Sequence, residues 1–130
     1  MGIQIQWDNN EKTILLVTFE AEWTWEDLVV IDAHATALYS TVPHIVDIVA
    51  DVRHNRLILS GVLSYVRSLL ILPWNPRAGM AVVVGANTRL RTLFEAAARL
   101  ADKPLTRIGF ADSLEEARTL IAAARAQRGL

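Results

Sequence analysis

The sequence predicts an α/β protein: one domain spanning residues 1–130, on a mixed, mostly parallel five-stranded sheet, with elements ordered β-β-α-β-α-β-α-β-α. Three observations predict it. Apolar runs of strand length alternate with segments of helical periodicity along the whole chain. Two of those runs, Ile45 to Val52 (IVDIVADV) and Met80 to Val84 (MAVVV), are rich in β-branched residues and nearly continuous, the mark of strands covered on both faces. With 130 residues, 52% of them hydrophobic, the chain has the length and the material for one core that needs no metal or disulfide.

Ile3, Ile5 and Trp7 alternate with Gln4 and Gln6, the period of a half-buried edge strand. Asp8-Asn9-Asn10 is a turn cluster and Thr13 to Phe19 is almost wholly apolar, so the two segments read as a β-hairpin. A helix then starts around Thr24: Thr24 caps the free N–H groups, Asp27 faces the positive end of the dipole, and Trp23 staples onto Leu28. Leu28, Ile31, Ala35 and Leu38 share its inner face, and it ends before Pro43. After strand Ile45–Val52, a helix is expected from Ser60 to about Leu72, stopped by Pro73. Strand Met80–Val84 leads through Gly85-Ala86-Asn87 into another helix, with Leu90, Leu93, Phe94, Ala97 and Leu100 on one face. Leu105 to Phe110 is a last, shorter strand. Ser113-Leu114-Glu115-Glu116 is a capping box for a terminal helix that turns Leu114, Ala117, Leu120, Ile121 and Ala124 inward. Short strand–helix alternation implies right-handed crossovers, with the N-terminal strand antiparallel at an edge.

Charge and composition narrow the function classes. The net charge of −1 conceals a split: residues 1–51 sum to −8 and residues 52–130 to +7, with eleven of the thirteen bases arginine. The bases fall one or two per helix, without a cluster or interleaved aromatics, so no nucleic-acid partner is expected. No cysteine is present, which removes disulfides, thiolate metal sites and a cysteine nucleophile together. The opening MGIQIQWDNN lacks a basic region with an apolar run, and the apolar run Leu69–Leu72 is far too short to span a bilayer; a cytoplasmic protein with no membrane span is expected.

No catalytic apparatus is recognisable. His34, His44 and His54 have no ligand-type partner at i+3 or i+4, so no metal or other cofactor is expected. Gly85-Ala86-Asn87-Thr88 joins a strand to a helix but lacks the lysine of a P-loop and the spaced glycines of a dinucleotide fingerprint. Asp51, His54 and Ser60 have the residue types of a catalytic triad, yet they come from one short connector without a nucleophile elbow. That connector is distinctive in another way. Arg53, His54 and Arg56 follow a buried strand, and Leu59-Ser60-Gly61 opens a helix whose free N–H groups favour an anion. Ser60 is either a plain N-cap or a modifiable hydroxyl held near cations.

The same residues carry a resemblance. The element order, the acidic Asp51 late in a central strand and Leu59-Ser60-Gly61-Val62 at a helix start resemble the STAS domain, and in particular its SpoIIAA-like (STAS/SEC14) group. Leu59 stands where that family usually has aspartate. The resemblance implies a non-enzymatic regulatory domain that docks on a protein partner, in classical members an anti-sigma-factor kinase, and is switched by phosphorylation of the serine matched by Ser60. Asp51, Arg53, His54, Arg56, Leu59 and Gly61 then form the interaction surface. The SEC14 side of the family implies the alternative, a pocket for a small apolar or lipid-like ligand. Leu69, Leu72 and Trp74 supply an apolar patch for such a ligand, or for a homodimer.

Overall fold

The computed structural model of the chain describes residues 2–54, 76–86, 88, 91–92, 95–96 and 108–129. Five strands lie in the order β1-β2-β3-β4-β5: β1 (Ile3–Trp7), β2 (Ile14–Phe19), β3 (Val46–Asp51), β4 (Ala78–Val84) and β5 (Ile108–Ala111). β1 is antiparallel to β2, with Ile3 opposite Phe19 and Trp7 opposite Leu15, and the other neighbouring pairs are parallel. This is the expected single α/β domain on a mixed sheet with an antiparallel N-terminal edge.

Two helices are described from end to end, α1 (Trp25–Tyr39) and α2 (Leu114–Gln127). Between β4 and β5, Thr88, Arg91, Thr92, Glu95 and Ala96 are also helical, where the sequence predicts a helix. The helix expected over Ser60–Leu72 lies outside the described residues.

The two helices pack on opposite faces of the sheet because the strands bury apolar residues on both. On one face, Ile3 and Val17 meet Leu28 and Ile31 of α1, and Leu15 and Val46 meet Tyr39, with Ala35 and Leu38 packed alongside. On the other, Ile14, Val49, Val82, Val84 and Ala111 meet Ala117 and Ile121 of α2. β1 packs Ile3 and Ile5 on the α1 side and shows Gln4 and Gln6 to solvent, which is why its sequence alternates while β3 and β4 read as continuous runs.

Local chemistry fixes where the elements start. Thr24 and Asp27 form a reciprocal capping box, the Thr24 hydroxyl accepting from Asp27 N–H at 3.1 Å and the Asp27 carboxylate from Thr24 N–H at 3.0 Å. Trp23 packs into the cluster containing Leu28, completing the staple. At α2 the box is not reciprocal. Ser113 caps Glu116 N–H at 3.1 Å, but the Glu116 carboxylate reaches one residue further back, to Asp112 N–H at 3.2 Å. β4 begins two residues earlier than its apolar run, at Ala78. Opposite it, Val46 faces Ala78 while Ile48 faces Ala81, so two residues of β3 span three of β4 in a β-bulge at Gly79–Met80.

Candidate functional site

Parallel strands put their carboxyl ends on one edge of the sheet, the edge at which α/β proteins place their sites. Here β3 ends in Asp51, β4 runs into Gly85 and β5 into Asp112. Asp51 is 4% exposed, yet it is an anion at the end of a strand, so it requires a cation. Arg53, two residues on, supplies one. Its Nε donates to Asp51 Oδ1 and its Nη2 to Oδ2, both at 2.9 Å, and its backbone N–H donates to Oδ1 at 3.1 Å. The side-chain hydrogen bond from Arg53 is the main reason the Asp51 carboxyl titrates below its usual range, against the opposing effect of burial; the neighbouring charge of His54 lowers it further.

The fork fixes the turn that leaves β3. Arg53 packs directly on Gly85, where a Cβ would overlap the Arg53 side chain, and Gly85 has φ +82°, a conformation that suits glycine. Gly85 N–H donates to Ala111 carbonyl at 2.9 Å, so it serves the sheet ladder and is not free to cradle a phosphate. Next along the edge, Arg91 lies 5.1 Å over the Phe110 ring and 3.5 Å from the Asp112 carboxylate. The edge therefore carries two oriented guanidinium groups and the exposed His54.

Of the residues singled out in the sequence, the structure brings Asp51, Arg53 and His54 together. Arg56, Leu59, Ser60 and Gly61 of the same connector, and the apolar patch of Leu69, Leu72 and Trp74, lie outside the described residues. Both oxygens of Asp51 accept from Arg53, so the carboxylate pins the turn that follows β3. The other histidines lie elsewhere. His34 is exposed on α1, and His44 Nε2 donates to the Lys12 carbonyl at 2.8 Å, anchoring the hairpin loop.

A second charged cluster, at the opposite edge, was not singled out from the sequence. Asp47 is fully buried near the start of β3. Its Oδ1 accepts Met80 N–H at 2.7 Å, the group facing it at the bulge, and Arg128 Nη2 at 3.0 Å. Its Oδ2 accepts Arg128 Nη2 at 2.8 Å and Arg125 Nη1 at 3.1 Å. Gly79 is required beside it, because a Cβ there would overlap the carboxylate. The signal was present in the strand: an aspartate inside a run read as covered on both faces demands a cation, and α2 ends with two arginines three residues apart. A third pair, Arg118 to Asp8, joins α2 to the end of β1 through hydrogen bonds of 2.9 and 2.8 Å. Searches against family models, curated proteins and solved structures give no match to this chain.

Proposed function

We propose that the chain is a STAS-like, non-enzymatic interaction domain and that the carboxyl edge around the end of β3 is its docking surface. The observation that carries this reading is the Asp51–Arg53 fork. A buried carboxylate holds an arginine whose side chain is still 41% exposed, so the cation reaches solvent already ordered, and His54 follows it on the same turn. Ordering a side chain before binding removes part of the entropy that binding would otherwise cost. An ordered cation at the exit of a rigid strand suits an acidic partner surface. It also suits regulation by a phosphate on Ser60, seven residues on in the same connector, which would bring about −1.5 to −2 charges toward it.

The experiment is affinity capture from the native cell with wild type, Arg53→Glu, Ser60→Ala and Ser60→Asp, each checked for folding by circular dichroism. A partner held by wild type and Ser60→Ala, and lost with Arg53→Glu and Ser60→Asp, is the expected result. Equal capture by all four removes the surface from the account. Organic extraction of the purified protein tests the alternative carrier function, and a stoichiometric lipid would favour it.

A further inference from the structure

We infer that the outer face of α1 docks a basic, amphipathic segment of a partner protein, a contact separate from the β3 edge. Val29 and Val30 are 53% and 51% exposed and are the large hydrophobic side chains that stand in solvent among the described residues. The inward side of the helix is occupied by Leu28, Ile31, Ala35, Leu38 and Tyr39, so the two valines add little to this core. Valine is also a poorer helix former than alanine, so helix stability does not account for them. Ala33 and Ala37, four and eight residues after Val29, are exposed as well. They continue one row along the helix and make a shallow strip that another chain can approach closely.

Charge selects the occupant. α1 carries Glu26, Asp27 and Asp32 and neither lysine nor arginine. Asp27 is engaged in the capping box, whereas Glu26 and Asp32 are exposed beside the strip and Glu22 is exposed ahead of it. A second copy docked through the same face would bring these carboxylates against their own equivalents, and an anionic membrane or nucleic acid would be repelled in the same way. A segment with aliphatic residues at helical spacing, flanked by lysine or arginine, satisfies both the strip and its charged border. The strip is one helix face with two large side chains, so the association is weak and falls as salt rises.

The test uses the full-length chain, labelled with nitrogen-15. It is titrated with a 14-residue peptide carrying leucine at i, i+3, i+4 and i+7 and lysine elsewhere, and with the analogue in which glutamate replaces lysine. The lysine peptide is expected to shift amide signals centred on residues 26–37, more strongly at low salt, and the glutamate peptide to have no effect. Val29→Ser/Val30→Ser should weaken the lysine peptide at least tenfold. Should that variant not fold, Glu26→Lys/Asp32→Lys, which leaves the valines in place, should abolish binding. Shifts centred elsewhere, no binding of either peptide, or full binding by the folded variants would overturn the inference. So would a homodimer in light scattering that Val29→Ser/Val30→Ser dissolves, since a second copy would then be the occupant.

Discussion

Asp47 is a carboxylate removed from water, and its surroundings follow from that. A buried anion requires a cation and hydrogen bonds to nearly every lone pair, and Arg125, Arg128 and Met80 N–H provide them. Removing both guanidinium groups in Arg125→Ala/Arg128→Ala leaves the charge with one backbone donor. Stability should fall by about 3–5 kcal/mol, read as a lower urea midpoint. Asp8 and Asp51 behave differently because their partners reach solvent, Arg118 being 48% and Arg53 41% exposed. Hydrogen bonds from Arg118 and Arg53 nonetheless hold both carboxyls below their usual range. An unfolded aspartate titrates near about 3.9, so this contribution is complete above that pH and disappears as pH falls through the depressed folded values. Asp8→Asn and Asp51→Asn should each flatten the acid side of the stability curve below about pH 4 in urea titrations. Wild-type slopes in both would contradict the pairing.

Elements were legible where the signal is local. The β1–β2 hairpin and α1 followed from alternation, a turn cluster and a cap, all within a few residues. Thr24→Ala should therefore cost about 1 kcal/mol, measurable by thermal unfolding, because it leaves Asp27 N–H without its acceptor. What sequence periodicity did not resolve depends on contacts between distant segments. The early start of β4 hides behind Gly79, which is a poor strand residue taken alone and is required because the Asp47 carboxylate, the Arg128 guanidinium and the Ile45 side chain lie against it. The reciprocal box expected at α2 gave way to a Glu116–Asp112 contact, a choice of one residue that spacing cannot make. Gly85 belongs to the same class: its role emerges only when Arg53 packs across it. Gly85→Ala should destabilise by about 1–2 kcal/mol through the positive φ and should displace Arg53, visible as a shift in its Nε–H signal.

Across the whole molecule, the split between an acidic first half and a basic second half finds a physical account. Asp8 and Asp47 from the acidic half are the carboxylates that Arg118, Arg125 and Arg128 from the basic half engage. The even spread of the bases along the helices did not reveal that Arg118 and Arg125 of α2, with Arg128 at its cap, tie the last helix to Asp8 at the end of β1 and to Asp47 of β3. Pairing across the chain is invisible to composition, because net charge by segment records the ions and not their partners. The fold class and sheet direction were legible from alternation. The Asp51, Arg53 and His54 part of the proposed surface was legible as a run of charges after a buried strand, but the fork that orders Arg53 was not. Among the described residues, no helix is long and apolar enough to cross a membrane.

We propose that a partner docks where β3 ends. The most direct test places a photo-crosslinking amino acid at His54, and separately at Thr119 on the exposed side of α2, and irradiates the native cell. One discrete protein adduct is expected from position 54, none from position 119, and loss of the adduct when Arg53→Glu is added. No adduct from position 54, or the same adduct from both positions, would contradict it.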